Sequence, residues 1–582
     1  MSGAIDAFGL VLAPALPLLM LLAWCVPAWR ARIACRAPWA ALPALLLALA
    51  GEPGATAHLD WLLFGAVLGL DALNRVFLAF TAILWLGAGL HARGHLADDA
   101  RIESFWLLWL ATMAGNFGLI LAQDVASFYA SFALMTFAAY GLVIHTRSPE
   151  ALRAGRVYLA MAVLGEALIL AGLLLAASEA ATPLQPMLAQ LPAAIAESAR
   201  RDVIIGCLFL GFGIKAGLPL LHMWLPLAHP VAPIPASAVL SGAMIKAGLL
   251  GWLQTLPLGQ ASLPGWSLVV MGTGLAAAFG AALIGVHQRT PKTVLAYSSI
   301  SQMGLITVGV GAGLHEPAAW PLLAPAIALY ALHHGLAKGA LFLGVALAGH
   351  AGGPRRKPWL WLALALPGVS LAGPMVSGMA AKLGLKAALA GGAASPAWWQ
   401  HLPLLLALAA VGTTLLIARY LWLLRERDDG RPAPRAVWLG WGLVFAASAA
   451  APMVLPGLAV PGAWPPDGAA LPGLLWPVLA GAILAVVGAR RLHPWPIPAG
   501  DVLVWLTRPF GPLGHALRRA GEAAHRWTRP RMSPPAAAAP ALARAASPRG
   551  SGLERHWRRE AALGFAALLV VVLAAFLASW AP

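Results

Sequence analysis

The chain has 582 residues, of which 60% are hydrophobic and only 10% charged, and its mean hydropathy is +0.78. A soluble domain carries about a quarter charged residues, and the apolar runs here are continuous rather than alternating, so neither a soluble enzyme nor a β-barrel fits. The net charge of +17 is dispersed between apolar runs rather than gathered on one face, which excludes a nucleic-acid surface, and Cys25, Cys35 and Cys207 have neither metal-type spacing nor a disulfide framework.

At about 20 apolar residues per span, the sequence predicts an all-α polytopic membrane protein of 16 helices. Their limits are 5–29, 33–50, 70–91, 102–122, 125–145, 156–177, 203–221, 235–256, 264–286, 292–313, 320–349, 359–390, 402–424, 436–455, 471–489 and 562–580. The first follows Asp6 instead of a basic stretch and lacks a cleavage site, so it reads as a retained helix. Loops after odd-numbered spans hold 17 basic residues, among them Arg30, Arg32 and Arg36, against only Arg200 and Arg201 after even-numbered ones. That asymmetry predicts odd loops in the cytoplasm, both termini on the extracytoplasmic side, and a multi-pass protein of the inner (plasma) membrane. After the fifteenth span an amphipathic stretch with Arg518, Arg519 and Arg526 precedes a Pro/Ala-rich linker, and a last span forms a terminal anchor.

The stretch from Gly206 to Gly251 holds Lys215 and Lys246 inside apolar runs, separated by Pro219, Pro226, Pro230, Pro233 and Pro235. The prolines predict a broken helix. A lysine at mid-membrane costs about 2.5–3.5 kcal/mol on insertion scales, so these two should face the interior and carry function. Lys382 follows a second pair of breakers, Pro367 and Pro374, with Lys386 one turn on as its competitor, and Lys338 lies one turn after His333 and His334. His222 reads as a hydrogen-bond partner at the helix break, Lys292 as an interfacial charge, and Asp71, Asn74 and Arg75 as a buried polar cluster.

The runs LGFGIKAGLPLLHMWLPLAHPVAPIPASAVLSGAMIKAGLLG, KTVLAYSSISQMGLI and ALHHGLAKGALFLG resemble the antiporter-like proton-conducting subunits of respiratory complex I, group 4 hydrogenases and Mrp-type cation/proton antiporters. The resemblance covers about residues 105–425. It implies two inverted five-helix repeats, spans 4–8 and 9–13, with discontinuous spans 7 and 12 carrying Lys215 and Lys382 at matching places. The chain then divides into N-terminal helices (1–101), the conducting core (102–425), spans 14 and 15 (426–492), the amphipathic segment and linker (493–561) and the anchor (562–582).

The family pairs its span-7 lysine with a glutamate on span 5, but Ala133 stands there, and Glu166 on span 6 is the nearest intramembrane carboxylate. A lysine–carboxylate pair in apolar protein is switched between charged and neutral forms by a small change in separation or hydration, so Glu166 is expected to serve Lys215. The resemblance implies a proton path through Lys215, Lys246, Lys338 and Lys382, with His333, His334, His222 and Lys386 in secondary places. It also implies no cofactor, metal or redox centre in the chain, the other membrane subunits of a complex and a soluble cytoplasmic protein as partners, and H+ or Na+ as the ion. Two other readings stay open: an Mrp-like Na+/H+ antiporter or ion-coupled inorganic-carbon uptake subunit, and, on the strength of Ala133, a non-conducting structural subunit.

Overall fold

A computed structural model describes residues 2–499 except 183–184, 351–357, 391–396, 426–431, 455–467 and 492–496. Among them 13 helical stretches are long and apolar enough to cross a membrane, and each falls on one of the expected spans. The seventh expected span is shorter, since its helix ends after 16 residues. The fourteenth has only a short apolar helix at Arg435–Ala450, and the sixteenth, with the amphipathic segment and linker, lies outside the described residues.

The chain opens with α1 (Ser2–Trp24), and the second span is assembled from α2 (Arg30–Arg36), a 3-10 turn and α3 (Leu42–Ala50). A hairpin of β1 (Ala55–Leu59) and β2 (Ala66–Leu70), pairing Ala55 with Leu70, was not expected, because the apolar run of β2 merges in sequence with the span that follows. That span is α4 (Ala72–His95), followed by α5 (Ile102–Leu121), α6 (Val125–Val143) and α7 (Pro149–Glu179). The polar cluster at the start of α4 is structural: Asp71 caps the helix by accepting from the Asn74 amide, and Arg75 donates to the Ala48 and Leu49 carbonyls at the end of α3. In the loop before α5, Asp99 pairs with His145 at 3.2 Å. Partial burial works against the Asp99 carboxylate, but the Arg101 amide and His145 prevail and hold its pKa below the ordinary value.

After a short α8 (Leu191–Glu197) comes the broken region. Helix α9 (Arg201–Ala216) stops at Gly217, whose φ of +87° is the left-handed conformation that glycine adopts without penalty. Then follow α10 (Trp224–Val231), α11 (Ile234–Val239), a π-helical turn at Leu240–Met244, and α12 (Ile245–Thr255). Two buried helices form the centre, α14 (Pro291–His315) and α15 (Trp320–His350), with α13 (Pro264–Gly285) packed on α14. The second break separates α16 (Pro358–Ala372) from α17 (Val376–Ala390), and α18 (Leu402–Leu424), α19 (Arg435–Val454) and α20 (Leu471–Arg491) complete the described part.

Helices in lipid associate by close packing, so crossings use small residues. Gly274 and Gly304 face each other across α13 and α14, and Gly242 meets Gly335 of α15, each with a neighbouring carbonyl under 3 Å from where a Cβ would stand. The same constraint sets α9 against α12: a Cβ on Gly248 would lie 2.5 Å from the Phe212 carbonyl oxygen. Gly248→Leu is therefore expected to lower stability by about 1–3 kcal/mol or more, read as a fall in Tm of the detergent-solubilised protein. An unchanged Tm would mean that the α9–α12 contact is looser than described.

Candidate functional site

Lys215 sits in the last turn of α9, 5% exposed. Its Nζ is 3.4 Å from the Tyr158 hydroxyl, which donates to the Thr136 carbonyl, and lies 5.5–5.9 Å from the ring centroids of Phe132, Tyr158 and Trp224. An aromatic cage of this kind attracts a cation through the ring faces. Trp224 is itself fixed across the helix break, donating from Nε1 to the Ile214 carbonyl at 2.8 Å.

Glu166 of α7, 4% exposed, lines the same cavity as Lys215. The two groups are not in ion-pair contact within 4.0 Å, and the Thr136 side chain lies beside the carboxylate in the same cavity. The cavity leaves about 20 Å³ for water centres, room for one water between them. Ala133 is buried on α6 beside Phe132, so the carboxylate of this cavity comes from α7.

Lys246 and Lys338 are sealed in the protein centre at 1% and 0% exposure. Lys246 Nζ donates to the Ser241 carbonyl at 2.7 Å, inside the π-helical turn. The Ser241 and Ser299 hydroxyls are 2.7 Å apart, Ser299 donates to the Leu295 carbonyl at 3.0 Å, and Lys338 donates to that same carbonyl at 2.7 Å. Polar atoms thus lead from one lysine towards the other through α14, with Ser241 as the joint: its carbonyl takes Lys246 and its hydroxyl meets Ser299. His334 lies within electrostatic reach of both, with neither ring nitrogen hydrogen-bonded.

A separate set of polar contacts lies at the second break. His333 Nδ1 is 2.9 Å from the Ser377 hydroxyl, which is 3.3 Å from that of Ser370. Lys382 of α17 donates to the Ala372 carbonyl, the last residue of α16, at 2.6 Å. It lines a cavity of about 80 Å³ together with Tyr330 and Lys386, whose side chain is exposed. Lys215 precedes its break and Lys382 follows its own, so the two lysines fall on opposite sides of their interruptions rather than at matching places. His222 bonds the Leu218 carbonyl through Nδ1 at 3.3 Å, and Lys292 donates to the Ala232 carbonyl at the end of α10.

Several residues of this arrangement escaped the sequence reading, His229, Tyr158 and Ser299 among them. His229 is fully buried, stacked on Phe342 with ring centroids 4.6 Å apart, unbonded at both nitrogens and within reach of Lys292, Lys338 and Lys246. The signal available was a histidine inside the proline-rich break. Tyr158 and Ser299 carried no such signal, because a tyrosine or serine in an apolar run is ordinary.

Residues 122–367 match the family model described as "NADH:quinone oxidoreductase/Mrp antiporter, TM". Hydrogenase-4 component B of Escherichia coli (strain K12) is 29% identical over 299 residues, 48% of this chain and 42% of its own length. A subunit of a probable K(+)/H(+) antiporter of Rhizobium meliloti (strain 1021) is 33% identical over 295 residues, 49% of this chain and 52% of its own. The chain thus spans about half the length of these curated relatives. A chain of the Mrp complex from Dietzia sp. DQ12-45-1b aligns over 81% of this chain and 99% of its own with a TM-score of 0.66 at 21% identity, a likeness of fold. The multi-pass, all-α antiporter-like architecture expected from the sequence is the one found.

The central amines are poor structural elements: each is desolvated for a hydrogen bond worth about 1 kcal/mol. Lys246→Met and Lys338→Met are therefore expected to leave the Tm in detergent unchanged or raise it. A drop of many degrees in either would make that lysine a structural tie.

Proposed function

We propose that the chain is a proton-translocating, antiporter-like subunit of a larger membrane assembly. The observation that carries the reading is the line from Lys246 through Ser241, Ser299 and the Leu295 carbonyl to Lys338, flanked by a lysine cavity at either helix break. The amines and hydroxyls of this line suit proton exchange, since each both accepts and donates once neutral, while the Ser241 and Leu295 carbonyls only accept and hold the amines in place. Groups of this kind buried at membrane depth are costly and mark ion pathways.

In this reading a proton from the cytoplasm enters at the Glu166–Lys215 cavity and passes Lys246. It crosses by way of His334, Lys338 and His333 and leaves past Lys382, with Lys386 at the mouth. Glu166 stands in for the span-5 glutamate that Ala133 lacks, and a water in the cavity bridges carboxylate and amine. Redox chemistry, where the assembly has it, belongs to partner proteins, as the likeness to hydrogenase-4 component B suggests. Partners are further membrane subunits and a soluble cytoplasmic protein, and the termini lie on the extracytoplasmic side of the inner membrane. The likeness to part of a K(+)/H(+) antiporter favours cation/proton exchange as the second reading.

In inverted vesicles containing the assembled complex, Lys215→Ala, Lys382→Ala and Glu166→Gln should each abolish proton uptake, followed by quenching of a pH-sensitive dye, while the subunits still co-purify. Wild-type uptake in the Lys215 or Lys382 variant would reject the route. Uptake that depends on added Na+ or K+ would select the exchange reading.

A further inference from the structure

We propose that the cleft between α1 and α2 is a binding site for an anionic phospholipid. The cleft measures about 800 Å³, a volume typical of small-molecule sites. One wall is apolar: Leu16 and Met20, one turn apart on α1, face it together with Ile33 of α2. Arg32 and Arg36, one turn apart on α2, line the same cleft and add two guanidinium groups to it. A linear hydrocarbon lying along one wall with an anion at its end is the chemistry of a phospholipid, and planar guanidinium forks match phosphate oxygens in pairs.

The charges around the cleft point the same way. Arg30, on the neighbouring face, is engaged: Nε donates to the Trp24 carbonyl at 3.2 Å and Nη1 lies 3.5 Å from Glu103. Arg93 donates to Cys35 Sγ at 3.2 Å. Among the described residues, no carboxylate lies within 4.0 Å of Arg32 or Arg36. Trp29 and Trp39, 50% and 48% exposed, line the cleft on either side, and indole rings favour the headgroup level of a bilayer. Leu18, Leu19 and Leu22 of α1 are exposed nearby, as suits a helix that faces acyl chains. Basic pockets of this kind at the ends of membrane helices hold anionic headgroups.

The test uses the full chain in its complex, extracted in mild detergent, with short-chain phosphatidylglycerol and phosphatidylethanolamine titrated and bound lipid counted by native mass spectrometry. Arg32→Gln/Arg36→Gln is compared with Arg153→Gln/Arg156→Gln, a control that removes the same charge from exposed positions on α7. Wild type and control should bind phosphatidylglycerol alike and prefer it to phosphatidylethanolamine, while the cleft variant loses roughly thirtyfold in affinity. Equal binding by all three proteins, or equal loss in variant and control, would overturn the proposal. So would displacement by inorganic phosphate at equal concentration, which would mark a free-phosphate site. A cleft that holds no lipid in the assembled complex because another subunit covers it would overturn it as well.

Discussion

An amine taken out of water must find oxygen atoms to replace its hydration shell, and in a bundle of regular helices almost every carbonyl is already committed. Four lysines of this chain meet that requirement with main-chain oxygens. Lys292 takes Ala232 at the end of α10, Lys246 takes Ser241 in the π-helical turn, Lys382 takes Ala372 at the end of α16, and Lys338 takes Leu295. Three of the four acceptors lie where regular helical hydrogen bonding is interrupted. The breaks in α9–α12 and α16–α17 are thus more than kinks. They carry into a hydrocarbon slab a solvent made of the chain itself.

Lys215 is the exception. It has a tyrosine hydroxyl, three aromatic rings and a carboxylate across a small cavity in place of a carbonyl. A main-chain acceptor is fixed, whereas Glu166 is a titratable side chain facing the same cavity. The charge state of Lys215 can therefore respond to one proton or one water, while the carbonyl-bound lysines sit in settings that change little.

Much of this was legible in the sequence because the strongest signals are local. Hydropathy located the spans, and the prolines marked the interruptions. A lysine in an apolar run is conspicuous wherever it falls. What could not be read depends on neighbours far away in sequence. Ser299 matters only because Ser241 lies opposite, and Tyr158 only because its hydroxyl meets an amine 57 positions on. The hairpin at 55–70 was hidden for a different reason, since its second strand is apolar and ends directly at Asp71, the cap of the span that follows. The symmetry implied by family resemblance also smoothed over a real difference, the placement of Lys215 before its break and Lys382 after.

The widened turn at Leu240–Met244 has one more consequence, an angular one. Each residue added to a helix advances the following side chains by about 100°, so a turn wound more loosely than its neighbours resets the phase between α11 and α12. Within the turn, Gly242 presses against α15; downstream, Lys246 turns inward to the Ser241 carbonyl instead of out to the lipid. Shorten that turn by one residue and composition, hydropathy and span length all stay nearly the same, yet the amine faces another compass point. The direction in which such a helix presents its lysine is written in its winding as much as in its residues.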